Sequence, residues 1–305
     1  MPATPDPINA WPGFGPAERA NAGSLIDLAL AEDFGESGDV TSLSTLSASI
    51  VGSVQFRARH PGILAGLPVV EQIVDRFSLG RDWSALKSDG DVLSAGDVIA
   101  HLEGPMRSLL GLERTALNFL QRLSGIATLT GRFVDEVRGT RAQILDTRKT
   151  TPGWRALEKY AVRCGGGSNH RIGLYDMVLI KDNHLASLAQ TGDPIGRAIE
   201  AARNFVPPRT FVEVEVDSLE QLDRALQCRP DIILVDNLGP EALREAVRRR
   251  DQVAPTVRLE ASGGVRLETV RALAESGVDR ISVGALTHSA PALDIGLDFD
   301  EPRRP

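Results

Sequence analysis

Between Arg141 and His184 the chain gathers eight basic side chains, Arg141, Arg148, Lys149, Arg155, Lys159, Arg163, Arg171 and Lys181. Against them stand four acids, Asp146, Glu158, Asp176 and Asp182, so this stretch is net +4 inside a chain of formal charge −7. His170 and His184 lie in the same run. Guanidinium forks match carboxylates and phosphates by paired hydrogen bonds, and lysine adds a compact point charge. A multiply anionic small molecule explains this local inversion better than nucleic acid does, since the rest of the chain is acidic. The competing reading is a solvated basic face. Against it, Arg148-Lys149 and Lys181 fall at the ends of strand-like segments and not along a helix.

Acids complete the chemistry downstream. Glu213 and Glu215 alternate with Val212, Val214 and Val216, so both carboxylates point to one side of a strand while valines pack on the other. Asp236 ends the next strand-like segment. Carboxylates inside a barrel are costly unless a cation or metal answers them. A few oxygen ligands suit Mg²⁺ bridging a phosphorylated substrate, and plain ion pairing with Lys181 or Arg171 is the alternative. Ser262-Gly263-Gly264 and Gly284-Ala285 follow the last two strands, where glycine lets backbone N–H groups approach a phosphate.

Other chemistries find little support. Gly165-Gly166-Gly167-Ser168 could bring amides to an anion or simply form a flexible turn. No Gly-Lys pair and no Gly-x-Gly-x-x-Gly occurs, which excludes a Walker loop and a dinucleotide fingerprint. Cys164 has no marked partner base, and two distant cysteines, Cys164 and Cys228, do not make a thiolate metal site.

The elements that must position these groups change character along the chain. Gly23–Thr41 reads as an amphipathic helix closed at Glu32-Asp33-Phe34-Gly35 and a Gly38-Asp39 turn. From Ser53 to His101 short strand signals dominate, interrupted by a helical stretch from Leu67 to Phe77, which predicts a small α+β or sandwich module. Gly111–Val137 is strongly helical, with a break expected at Ser124-Gly125. After residue 140 six strand-like segments, most leading into helical pattern, follow: Gln143–Thr147, Asp176–Ile180, Thr210–Val216, Asp231–Val235, Thr256–Ala261 and Arg280–Val283. Leu219–Leu226, Pro240–Arg250 and Leu267–Ser276 read as helices. Alternating strand and helix means a parallel sheet. Reactive or glycine residues close every strand, at Arg148-Lys149, Lys181-Asp182-Asn183, Glu215, Asp236-Asn237, Ser262-Gly263-Gly264 and Gly284, spaced 21 to 34 residues apart. Groups at every strand end favour an open or incomplete parallel α/β barrel over a doubly wound sheet, which gathers them at one switch point.

With 305 residues, 42% apolar and 25% charged, there is material for about two domains of ~150 residues. The longest uncharged run, Val40–Phe56, is rich in Ser and Thr and cannot span lipid. Five prolines between residues 2 and 16 predict a loose or packed-on tail. The first residues show neither a basic n-region nor an apolar h-region, and with two cysteines a reduced cytoplasmic protein is expected.

The run from Ile144 to His184, with Asp146-Thr147-Arg148-Lys149-Thr150, Gly165-Gly166-Gly167-Ser168-Asn169-His170-Arg171 and Lys181-Asp182-Asn183-His184, resembles the signature of quinolinate phosphoribosyltransferase, also called nicotinate-nucleotide pyrophosphorylase (carboxylating). Leu25–Thr41, Glu113–Thr128, Asp231–Asn237, Leu259–Val265 and Ile281–Phe299 extend the likeness, and the N-terminal 20 residues lie outside it. The resemblance implies transfer of phosphoribosyl from phosphoribosyl pyrophosphate to quinolinate with loss of CO₂, using Mg²⁺, in de novo NAD biosynthesis. It implies an N-terminal α/β sandwich over 21–125, to which 290–305 returns, and an open α/β barrel over 126–289, with 1–20 as a tail. It also implies a homodimer or higher homo-oligomer in which Arg114 reaches a neighbour's site.

By the same resemblance Arg148, His170, Arg171 and Lys181 bind quinolinate, with Thr147 in the same stretch and Lys149 between quinolinate and the phosphorylated sugar. Glu215 and Asp236 match the acids near ribose and metal. Ser262, Gly263, Gly264, Val283, Gly284, Ala285 and His288 match the phosphate side. Lys149, Glu215 and Asp236 are the expected catalytic set. Trp154 and Val235 depart from the pattern, where leucine is the usual residue. A related transferase acting on another anionic acceptor, such as nicotinate, is the alternative; no nucleic acid and no membrane partner is expected.

Overall fold

The structure is a computed structural model and describes residues 13–299. The chain forms two compact units, each with its own core. The first holds the residues up to Gly131, Thr150–Gly166 and the chain from Leu286; the second holds Arg132–Lys149 and Gly167–Ala285.

The first unit is an α/β sandwich. It opens with α1 (Pro16–Phe34), the short α2 (Val40–Thr45) and strand β1 (Val51–Ala58). Next come β2 (Gly62–Ile63), α3 (Leu67–Arg76), β3 (Trp83–Ala85), β4 (Val92–Leu93), β5 (Val98–Pro105) and the long helix α4 (Met106–Glu136). The final strand, β12 (Ile295–Phe299), pairs antiparallel with β1 to give the order β12-β1-β5-β3. Along β1 every second residue is buried, with Val54, Phe56 and Ala58 on the core side.

Three features differ from the sequence pattern, each for a local reason. Helix α1 begins at Pro16 and not at Gly23: proline suits the first turn, and the Gly15 N–H donates to Glu18 Oε2 at 3.1 Å. The expected tail over residues 1–20 is therefore helical from Pro16; residues 1–12 lie outside those described. Gly35 and Gly38, both at positive φ, end α1 before Val40, so residues to Thr41 do not continue it. Helix α4 runs unbroken through Ser124-Gly125. Ser124 Oγ turns aside to bond the Ala65 backbone, accepting its N–H at 3.0 Å and donating to its C=O at 3.1 Å. Gly125 is glycine because a Cβ there would run into the carbonyl oxygen of Pro291, with the Ala292 Cα at 3.0 Å. A glycine that reads as a helix breaker is a packing surface for the returning chain.

The second unit is an open parallel α/β barrel. Its strands are β6 (Gln143–Leu145), β7 (Val178–Ile180), β8 (Val212–Val216), β9 (Ile232–Asp236), β10 (Arg258–Ser262) and β11 (Arg280–Ser282). All pair in parallel in the order β6-β11-β10-β9-β8-β7, and among the described residues β6 and β7 are not bonded to each other. Helices α6 (Asp182–Ser187), α7 (Pro194–Phe205), α8 (Leu219–Cys228), α9 (Pro240–Val253) and α10 (Leu267–Ala274) carry the crossovers. Helix α7 starts where Asp193 accepts the Gly196 N–H at 3.1 Å, with Pro194 in the first turn. Strand β9 is buried on both faces from Ile232 to Val235, as a covered parallel strand requires. Helix α5 (Arg155–Cys164), which the sequence pattern counts with the barrel, groups instead with the first unit. It packs on α1, where Arg163 bonds Glu18 at 2.9 Å and the Tyr160 ring meets Phe14 edge-on at 5.1 Å. After the short α11 (Ala285–His288), β12 (Ile295–Phe299) completes the first unit's sheet.

Gly125→Val forces side-chain atoms into the Pro291 backbone, and overpacking of this kind costs about 1–3 kcal/mol. A urea melt should show that loss as a lower midpoint with an unchanged slope; an unaltered midpoint would contradict the close approach.

Candidate active site

Parallel neighbours in register share a face, and so do residues two apart on one strand. Glu215 pairs with Leu234, Leu234 with Glu260, Asp236 with Ser262, and Glu260 with Arg280. One face of the sheet therefore carries Glu213, Glu215, Leu234, Asp236, Glu260, Ser262, Arg280 and Ser282. The residues nearest the C-terminal strand ends line a cavity of about 420 Å³, together with Thr147, Arg148, Lys149, His170, Arg171, Leu179 and Lys181. Cations at the ends of β6 and β7 thus face carboxylates at the ends of β8 and β9.

Buried Asp146 assembles the cationic half. Its carboxylate accepts the His170 N–H at 2.8 Å and the Asn169 side-chain amide at 2.6 Å. Ser168 adds a strand-like bridge beside β6, its N–H donating to Ile144 O at 2.8 Å. These bonds hold His170-Arg171 against the end of β6, from which Thr147, Arg148 and Lys149 emerge. The Lys149 N–H donates to Thr147 Oγ1 at 3.0 Å and shapes that loop. Arg171 donates to the Met177 carbonyl at 3.3 Å. Burial lowers the Arg171 guanidinium's affinity for its proton, and the like charge of Arg148 adds to this. Lys181 caps α6, its N–H donating to His184 Nδ1 at 2.9 Å, while its Nζ stands 4.0 Å from Glu215 Oε2.

On the acidic half, burial raises the Glu215 carboxyl; Lys181 opposes that, and the neighbouring Asp236 reinforces it. Asp236 accepts from the Asn237 side-chain amide at 2.8 Å. The Asn237 N–H in turn donates to Ser262 O at 2.9 Å. Gly263 and Gly264 both take positive φ, and a Cβ on Gly263 would collide with the Asn237 amide. The two strand ends are locked together by a turn that admits only glycine.

Beneath the cavity lies a layer of buried charge, of which the sequence reading named Glu213 but neither Glu260 nor Arg280. Glu213 and Glu260 are fully buried, and Arg280 Nε donates to Glu260 Oε2 at 2.8 Å. His170 Nε2 stands 3.1 Å from Glu213 Oε2 and 3.4 Å from Glu260 Oε1. Burial alone disfavours the imidazolium, but Glu260 and Glu213 outweigh it and push His170 up to about 10. The Arg171 N–H, 2.8 Å from Nδ1, opposes that second ring proton because it needs a lone pair there. The hydrogen bond decides the tautomer: the ring carries its proton on Nε2, towards the carboxylates. Burial and then Glu260 push the Glu213 carboxyl upward, against the pull of His170 and Arg280. Glu260 goes the other way, to about 2: burial opposes the shift, but His170 and Arg280 prevail. Alternation was the available signal, since Glu260 and Arg280 stand two residues before Ser262 and Ser282.

Several expected residues are elsewhere. Arg114 lines a separate hollow of about 250 Å³ in the first unit, with Thr115, Asn118, Phe119 and Trp154 among its walls. Trp154, unusual by the sequence pattern, stacks on Phe119 with ring centres 4.7 Å apart. His288 groups with the first unit, its Nδ1 2.6 Å from Ser289 Oγ. Gly263, Gly264, Val283, Gly284 and Ala285 adjoin the cavity's strand ends in sequence but are not among its lining residues. Gly165–Ser168 does not line it either. A Cβ at Gly165 would strike the Ala127 carbonyl, so this glycine serves close backbone packing. Burial pushes the Cys164 thiol well above its usual range, which removes it as a nucleophile. No helix among the described residues is long and apolar enough to cross a membrane.

Residues 126–298 match the family described as quinolinate phosphoribosyl transferase, C-terminal domain, and residues 39–124 match its N-terminal domain. The chain is 47% identical over 280 residues to nicotinate-nucleotide pyrophosphorylase (carboxylating) of Mycobacterium leprae, covering 91% of this chain and 97% of that protein. It is 41% identical to the probable nicotinate-nucleotide pyrophosphorylase (carboxylating) of Bacillus subtilis, over 90% and 92% of the two chains. The solved nicotinate-nucleotide pyrophosphorylase of Francisella tularensis superposes with a TM-score of 0.85 at 37% identity, covering 97% of this chain and 99% of that one.

Asp146→Asn replaces an acceptor with an amide that faces two donors. Leaving a buried donor unsatisfied costs about 1–3 kcal/mol, which chemical denaturation should register; unchanged stability would show that Asp146 does not hold the loop.

Proposed function

The chain belongs to the quinolinate phosphoribosyltransferase family, and from that premise we propose how its barrel cavity carries out the reaction. The enzyme transfers phosphoribosyl from phosphoribosyl pyrophosphate to quinolinate with decarboxylation, forming nicotinate mononucleotide, pyrophosphate and CO₂ for de novo NAD biosynthesis. One observation carries the assignment of roles: Arg148, Lys149, Arg171 and Lys181 share a single cavity with Glu215 and Asp236.

Quinolinate has two adjacent carboxylates, and several fixed cations are needed to orient both. Arg148, Arg171 and Lys181 form that acceptor half, with Thr147 and His170 beside them. Lys149, one residue further along the loop, stands between the acceptor and the phosphorylated sugar. As pyrophosphate leaves, positive charge develops at the anomeric carbon. Glu215 and Asp236 supply negative charge beside the ribose, and Lys149 answers the departing anion. The 5′-phosphate half falls to Ser262, Gly263 and Gly264 with Val283, Gly284 and Ala285, where the glycines at positive φ carry no side chain to keep a phosphate from the backbone. Once the pyridine nitrogen carries ribose, its positive charge stabilises the carbanion left by CO₂, so no general base is assigned to that step.

Glu215 and Asp236 suit Mg²⁺ as an oxygen donor pair at two neighbouring strand ends, a set that leaves ligand positions for substrate oxygens. When bound, the ion supplies charge neutralisation of the pyrophosphate. A homodimer or larger homo-oligomer, with Arg114 acting in a neighbour's site, follows from the family resemblance. The hollow around Arg114 and the exposed Leu28, Val40 and Leu43 of the first unit support it. Two free cysteines are consistent with a cytoplasmic enzyme.

The direct test is a Mg²⁺-dependent assay that follows nucleotide and CO₂ from quinolinate, with nicotinate as the parallel acceptor. Equal yields from quinolinate alone are expected, and nucleotide from nicotinate without CO₂ would overturn the acceptor assignment. Arg171→Ala should raise the quinolinate KM about 10- to 100-fold, the loss of one charge-assisted bond pair, while phosphoribosyl pyrophosphate binding stays near normal. Equal loss of both would refute the clamp. Mixing inactive Arg114→Ala and inactive Lys149→Ala chains should restore activity in verified mixed dimers; none recovered would exclude a shared site.

A further inference from the structure

A barrel core is ordinarily filled by branched apolar side chains. Here the layer under the cavity holds Glu213, Glu260 and Arg280, all buried, with the His170 ring above them. Such a cluster is a poor source of stability, because desolvation of the charges offsets their attraction. His170, Glu213 and Glu260 also offer three ligand atoms within 4.8 Å of one another, a metal-like set. Arg280 already supplies the countercharge on Glu260, so a divalent ion would face a buried guanidinium.

The bonds around His170 point to another role. Its own N–H is held by Asp146, its Nε2 faces Glu213 and Glu260, and its Nδ1 accepts the N–H of Arg171. Both ring nitrogens are therefore turned to protein partners, and the second of them grips the residue that carries a cavity guanidinium. Rotating the ring would break the Arg171 N–H bond and leave buried carboxylate oxygens facing carbon.

We propose that Glu213 and Glu260, anchored by Arg280, are positioning residues for the acceptor: they orient His170 through Nε2, and His170 orients Arg171 through Nδ1. The inference rests on the proposed acceptor half and deepens it, since it makes dicarboxylate recognition depend on carboxylates that never touch the substrate. Glu213 and Glu260 act at one remove; Arg171 is the group that meets the anion.

The test combines kinetics with nitrogen NMR of the histidine ring. Glu213→Leu keeps the volume and removes the carboxylate 3.1 Å from His170 Nε2, and it should raise the quinolinate KM about tenfold or more while leaving the KM for phosphoribosyl pyrophosphate nearly unchanged. Glu213→Gln keeps an oxygen in place and should stay near the native value. In the unaltered enzyme, which removes any doubt about folding of variants, His170 should show a protonated Nε2 and an unprotonated Nδ1. A native quinolinate KM in folded Glu213→Leu, a proportional rise for both substrates, or a proton on Nδ1 would each overturn the proposal. Arg171→Ala separates the two levels. If it too leaves quinolinate KM unchanged, the acceptor half itself is misplaced; if it alone raises KM, only the relay from Glu213 and Glu260 fails.

Discussion

The two-residue period of a strand is the constraint on which this site depends. In a parallel sheet each residue shares its face with the partner it is registered against, so one choice of register decides which side chains meet. The register Glu215–Leu234–Glu260–Arg280 places four strands' polar residues on one face. Within that face, position along the strand separates two roles. Residues at the strand ends, Glu215, Asp236, Ser262 and Ser282, open into the cavity, and those two steps earlier on β8, β10 and β11 are sealed below it. A slip of one residue in β8, β9, β10 or β11 would turn its carboxylate or guanidinium away from this face and into the helical layer.

The cost of the lower layer is met internally. Arg280 balances Glu260, and burial raises the remaining carboxyl, Glu213, beside the His170 ring. Opposite charges set against one another are the condition under which ionisable groups tolerate a barrel core. Asp146 follows the same logic at the edge of the barrel. It is fully buried yet answered by the His170 N–H and the Asn169 amide, and so serves as a fixed peg for the loop that follows it.

Much of this was legible in the chain. The six strands lie within two residues of where alternation and turn chemistry put them, because covered parallel strands leave dense runs such as Ile232-Ile233-Leu234-Val235. Strand-end residues were legible too, since a reactive side chain closing each apolar run has few structural reasons to be there. What escaped was long-range packing. Ser124-Gly125 carries the local signature of a break, and only the Pro291 backbone lying against it explains the glycine. Helix α7 lacks a marked apolar run and was passed over, although Asp193-Pro194 announces its start. Glu260 and Arg280 look like ordinary strand residues until β10 and β11 are registered together. The resemblance gives His170 as a quinolinate-binding residue, whereas its ring turns both nitrogens to protein partners.

The proposed acceptor half is built against its own charges. Arg171 is partly withdrawn from water and sits within the field of Arg148, and both effects weaken its hold on a proton. Like charges gathered in a half-buried cavity raise the free energy of the empty site, and a dicarboxylate that enters relieves the repulsion while gaining hydrogen bonds. A monocarboxylate relieves only part of it and leaves one cation desolvated without a partner. Discrimination between the two acids therefore needs no group that rejects the smaller one. It follows from cations held in place before the substrate arrives, and holding them is the task of the buried residues beneath: Asp146 beside the β6 loop, and His170 on Glu213 and Glu260. Rigid support is what converts clustered positive charge from a general attraction for anions into a preference for two carboxylates at a fixed spacing.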